Sequence, residues 1–437
     1  MTRIAEWLSL LALPFVFAIP ETMAAEAETF EVRIEAGEHD RKNSPIRVPL
    51  AVPEILAEGA SVRLKAPDGS SVSGQLTPPG LLNEAAEAGQ GQVARELHFV
   101  LPSLKAGESA TWQVSMEPGE LRMPLTAVDP GGVELPDGFV WILHEEMSML
   151  MANGRPVLEY VHPTLDESSA AARELTYKPF HHLYDPDGSR RVTKGPGGQY
   201  THHRGIFYAF NRVRYGDGQQ ADVWHARGDA YQSHEETLST EAGPVLGRHR
   251  VLIHWRGEQG KTFAIEQREL TAYKVPGGHL VEFASQLETA EGQVELDGDP
   301  QHAGFHFRAD DEVASKTKGQ TYFLRPDGPG APGQTRNWEP KSRQGPVNLD
   351  WNALSFVLGD QRYTVGYLDH PDNPKEARYS ERDYGRFGSY FEYQLDQDNP
   401  LKVQYRLWLQ KDEMEVEEME ALDADFIVRV RAQIARP

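Results

Sequence analysis

The chain has 437 residues, a formal net charge of −22 at pH 7 and no cysteine. That acidity argues against a nucleic-acid partner, because binding phosphates takes a basic surface. Without cysteine there is no disulfide, thiolate metal site or cysteine nucleophile, so any metal must rest on His, Asp, Glu or water.

At the N-terminus, Arg3 precedes an apolar run over residues 7–19, followed by Pro20 and the small residues Ala24, Ala25 and Ala27. This order of charged, apolar and small-residue regions is that of a secretory signal, expected over residues 1–25, and it implies a periplasmic or secreted protein. The apolar run, about 13 residues, falls short of the ~20 that span a bilayer. No later stretch approaches that length, so no membrane partner is expected after signal cleavage.

Residues 28–118 read as strands. Segments 29–35, 46–50 and 61–64 alternate with period two, and Asp68-Gly69 marks a hairpin turn. Segments 97–101 and 111–116 complete a small β-sandwich, with 82–95 as a loop or short helix. The Pro-, Gly- and acid-rich stretch 118–138 is the expected boundary. A β-rich main domain then covers 120–437, with strands at 139–143, 251–255 and 403–409 and one short helix near 412–422. The fold class is therefore mainly β: a large antiparallel, supersandwich-like β-sandwich with a smaller N-terminal β-sandwich domain.

Histidine is concentrated, with twelve of the sixteen lying between 162 and 306. Around Thr201-His202-His203-Arg204-Gly205, strand alternation places His202 with Arg204 on one face and His203 with Phe207 on the other. Asp222-Val223-Trp224-His225 sets a carboxylate and an imidazole either side of an apolar pair. In His302-Ala303-Gly304-Phe305-His306-Phe307-Arg308, alternation puts His302, His306 and Arg308 opposite the two phenylalanines. On a strand, His302 and His306 are roughly 13 Å apart and cannot share a metal unless a bulge at Gly304 shortens the path. A metal site therefore has to draw on different strands, for instance His203, His225 and His306. The segment 378–388 packs Arg378, Arg382 and Arg386 with Tyr379 and Tyr384, a set suited to gripping carboxylates or hydroxyls. Glu392 follows as a carboxylate base.

Taken as an ordered set, residues 193–207, Trp224-His225 with His234, 302–308, His370-Pro371-Asp372-Asn373-Pro374 and 382–387 resemble the bacterial PmoA-like family of unknown function, also labelled methane oxygenase PmoA. The resemblance spans roughly 120–425. With no spanning segment beyond the leader, a membrane methane monooxygenase is not expected.

The resulting expectation is a carbohydrate-active enzyme of lyase, epimerase or hydrolase type. His203 or His306 is its acid/base, Arg204 and Arg308 bind an anionic intermediate, and Tyr384 donates a proton. His202, Trp224, Arg382, Arg386 and Glu392 would contact a small-molecule or glycan substrate. The alternatives are a non-catalytic glycan-binding protein, or an enzyme with a divalent metal on His203, His225 and His306.

Overall fold

The computed structural model describes residues 27–126 and 135–435, so the leader expected over 1–25 lies outside it. The described chain is mainly antiparallel strand, with α-helices at Ala170–Thr176 and Val416–Ile427. No described helix is long and apolar enough to cross a membrane.

The N-terminal unit is a seven-stranded sheet. In Glu28–Glu35, alternation buries Val32 and Ile34 and turns Arg33 and Glu35 outward. In Arg41–Pro53 it buries Ile46, Val48 and Leu50. These side chains join Phe99, Trp112 and Val114 in one core. The last strand, Arg431–Ala435, returns to pair with Glu28–Glu35. The end of the chain thus completes the N-terminal sheet rather than the main domain with which the sequence groups it.

The main unit sets two nine-stranded sheets face to face, with a four-stranded sheet beside them. The ring of Phe283 from one sheet lies 4.4 Å from Phe305 and 5.9 Å from Tyr208 of the other. Both sheets contribute to a single core. This is the expected large sandwich, and two-sided burial explains its central strands. In Leu401–Lys411, Leu407 faces the inter-sheet core, while Trp408 belongs to a second cluster on the outer side.

Helix Val416–Ile427 covers that outer side with Met419 and Phe426. Each such fully buried side chain contributes about 1.5–3 kcal/mol. A capping box between Glu415 and Glu418 fixes the helix start, and the helix runs further than the expected 412–422. The first helix was not anticipated. It is short, buries no residue, and starts at the Ser169 cap, whose side chain accepts from the Ala172 N–H.

Candidate functional site: a histidine centre roofed by loops

Strands Ile206–Phe210, Ala303–Arg308 and Arg386–Tyr390 are neighbours in the middle of one nine-stranded sheet. Their register sets Phe207 opposite His306, and Arg308 opposite Arg386. These side chains therefore share the face turned away from the inter-sheet core. The turns around 195–205, 222–228 and 299–302 roof that face.

Residues 200–204 do not form the expected strand; pairing begins only at Ile206. At Gly205 φ is +31°, and a Cβ there would lie 2.0 Å from the His181 carbonyl oxygen. Only glycine lets the chain pass that close. The alternation argument for His202 and His203 consequently fails, and the turn brings both rings to one place.

His202, His203 and His302 converge, with one ring nitrogen from each lying within 4.8 Å of the others. The His225 ring centroid is 4.4 Å from that of His202 and 4.9 Å from that of His302. Two carboxylates back the group. His225 Nδ1 lies 2.8 Å from Asp222 Oδ2, and His302 Nδ1 lies 3.0 Å from Asp299 Oδ1. With Nδ1–H donating to a carboxylate, each ring keeps Nε2 as an acceptor or ligand. Both pairs sit on one turn with Asp-x-x-His spacing, Asp222 to His225 and Asp299 to His302. The repetition of that spacing is the signal by which sequence reading could have found Asp299.

The remaining nitrogens are the informative ones. His202 Nε2 and both ring nitrogens of His203 are buried without a hydrogen-bond partner. A buried polar atom left in this state is costly, so a ligand from outside the chain is the natural partner. Burial, the neighbouring Lys178 and the rings of His225 and His302 hold His202 down at about 2. Burial and the Arg386 charge hold His203 well below the usual histidine range. Burial alone would raise the Asp299 carboxyl, but its hydrogen bond with His302 outweighs this and lowers it to about 2. The centre thus sets converging imidazoles beside carboxylates, the donor set of a borderline divalent cation such as zinc.

Other expected site residues have different roles. His306 is fully buried, with Nε2 2.8 Å from the Ala303 carbonyl and Nδ1 3.0 Å from Arg386 Nη1. Both ring nitrogens are occupied, so neither catalysis nor metal ligation is open to it. Arg204 is turned away, stacked 4.2 Å over Tyr177 and bonded to the Leu175 carbonyl at the end of the first helix. Its role is structural rather than that of an oxyanion donor. Arg308 is buried, hydrogen-bonded to the Ala309 and Tyr384 carbonyls and to Asp311. Glu392 lies apart from the centre, exposed and paired with Arg378, which removes it as a base. Trp224 is fully buried, its ring 6.0 Å from His203 and 4.8 Å from His306, and acts as a wall.

Tyr384 stacks on His203 at 6.1 Å and lies 5.0 Å from Tyr200, which is 43% exposed. Arg382 lies over the Tyr384 ring at 5.5 Å, and Arg386 donates to the Tyr384 hydroxyl at 3.2 Å. Of the expected set His203, His225 and His306, only His203 is among the three imidazoles that converge, His202, His203 and His302, with His225 bordering them.

No curated protein matches this chain. Among solved structures, it is similar to a protein in the glycosyl hydrolase family 38 from Enterococcus faecalis. That match has 8% identity and a TM-score of 0.39 over 94% of this chain, which spans only 47% of that one. A galactose mutarotase related enzyme from Lactobacillus acidophilus matches at 7% identity and a TM-score of 0.22, over 63% of this chain and 97% of that one. Likenesses of this size carry no functional argument. A family model matches residues 148–423, which hold the whole histidine centre, and on that match the chain belongs to a family of unknown function, DUF6807.

Proposed function

We propose that the protein is a metal-dependent enzyme acting, outside the cytoplasm, on a carbohydrate or similar polyhydroxylated substrate. The supporting observation is the convergence of His202, His203 and His302, with buried nitrogens of His202 and His203 that no group among the described residues satisfies. A divalent cation held by His202, His203 and His302 would supply Lewis-acid activation of water or a substrate hydroxyl. Asp299 orients His302 and raises its basicity as a ligand.

His225 is the ring left to move a proton. Its Nδ1 is tied to Asp222, and it borders His202 and His302 without belonging to the converging three. Tyr200 and Tyr384 offer flat aromatic faces beside these polar groups, a combination suited to the C–H face and hydroxyls of a sugar ring. Arg382 supplies a cation at the same wall.

The test is metal analysis of the purified protein before and after chelation, with H203A and H306A beside it. The reading expects about one equivalent of divalent metal, lost on chelation and in H203A and retained in H306A. Folded wild-type protein that takes up no divalent metal would end the metal-dependent reading and leave glycan binding by the same surface.

A further inference from the structure

On the opposite side of the sandwich, a cavity of about 470 Å³ lies between the N-terminal and main units. Strand periodicity builds its walls. Arg33 and Glu35 point outward from Glu28–Glu35, and their cross-strand partners Gln433 and Arg431 stand on the same face. Arg47 points into the cavity because its neighbours Ile46 and Val48 are in the N-terminal core. From the main unit, Glu282 and Arg406 oppose each other across two paired strands, outward of Phe283 and Leu407. Arg429 follows the C-terminal helix at the rim.

Five arginines therefore line one cleft of a protein whose net charge is −22. Carboxylates answer only part of them. Arg33 pairs with Glu35, Arg47 with Glu96 and Arg406 with Glu282, while Asp425 is taken by Arg41 from outside the cleft. Among the described residues, Arg429 hydrogen-bonds only to Gln404, though its charge also acts on Glu282, and Arg431 forms no ion pair. Two guanidinium nitrogens, Arg47 Nε and Arg406 Nη1, are buried with no hydrogen-bond partner, and Arg406 as a whole is only 3% exposed. The five arginines line a space of the size that small ligands occupy, at a junction of two units, where such sites are common.

We infer that this cleft binds a small molecule through an oxyanion group, a carboxylate or sulfate, held by Arg406 and Arg47 at its floor and by Arg429 and Arg431 at its rim. A planar guanidinium fork matches such a group in geometry as well as charge. The source is either a free inorganic anion or an acidic saccharide. The inference is independent of the histidine centre.

The experiment is calorimetric titration of the full chain with sodium sulfate and with a galacturonate disaccharide, at constant ionic strength set with chloride. The expected result is saturable binding of at least one probe, weakened by about tenfold or more in R429Q/R431Q, whose anion-free unfolding temperature matches wild type. The tighter probe identifies the source. Absence of saturable binding, or binding unchanged in the double variant, overturns the inference. So does an anion-free loss of stability in that variant, which would make the arginines interface ties. R33Q, at a half-exposed side chain lining the same cleft, should weaken binding with folding intact, and unchanged binding there also overturns the inference.

Discussion

The described residues hold two histidine clusters, and they differ in two respects. Around Tyr160, the rings of His162, His181, His234 and His249 lie between 4.7 and 5.5 Å from the tyrosine ring. Like His202 and His203, these rings are held below the usual histidine range, chiefly by burial. Each of these rings, however, has a nitrogen that meets a neighbour, although His181 Nδ1 is buried without a partner. His181 Nε2 meets His249 Nε2 at 3.0 Å, His234 Nδ1 meets the Tyr160 hydroxyl at 3.1 Å, and His162 Nε2 meets Ser148 at 3.4 Å. Among the described residues, no carboxylate hydrogen-bonds to them as Asp299 and Asp222 do to the other group. Depressed basicity therefore marks burial in both places. Unpartnered, converging nitrogens with carboxylate support mark the site in only one.

The sharpest way to break this contrast is H302A against H249L. H302A should weaken metal binding by about 100-fold or more, while H249L should leave it unchanged. Equal effects on metal content would erase the distinction. Next in size, D299N should weaken metal binding by about 10–100-fold, because His302 loses the acceptor that fixes its ring. D222N should affect turnover more than metal content if His225 moves the proton.

A smaller effect is expected on stability. H249L leaves His181 Nε2 buried without its partner and should cost about 1–3 kcal/mol in denaturant unfolding. Acid should find the Tyr160 cluster as well. Burial holds His162 at about 4 and His249 at about 3 in the folded protein. The same rings in the unfolded chain bind protons below about pH 6.5. Unfolded protein thus holds more protons throughout that window. The stability from this cluster is full above about pH 6.5 and falls as pH drops toward 3. Unfolding midpoints at several pH values would show this, and H162F/H249F should flatten the slope. The smallest effect belongs to E392Q, whose exposed pair with Arg378 contributes at most about 1 kcal/mol and whose loss should leave metal binding untouched.

Much of the architecture is legible in the chain. Period-two alternation marks Glu28–Glu35 and Arg41–Pro53 as strands with one buried face, and that pattern is local to each strand. The histidine-rich segments at 202–203, 225 and 302 are equally visible as segments. Alternation misleads at His202 and His203, because a glycine-dependent turn replaces the strand there. It misleads at His306 in another way: the ring does face away from the inter-sheet core, but the loops that roof it and the Arg386 beside it saturate both nitrogens.

By itself, then, the sequence determined a mainly β protein, acidic and without thiol chemistry, with its reactive side chains gathered in a few segments. Composition and periodicity are properties of neighbouring residues, and they survive without knowledge of the fold. Which imidazoles meet was decided only by tertiary structure. His202 and His302 are a hundred positions apart, and the sheet register that sets Phe207 against His306 also carries their loops together. Whether a buried nitrogen finds a partner is likewise a property of the packed molecule, since it depends on groups arriving from distant strands.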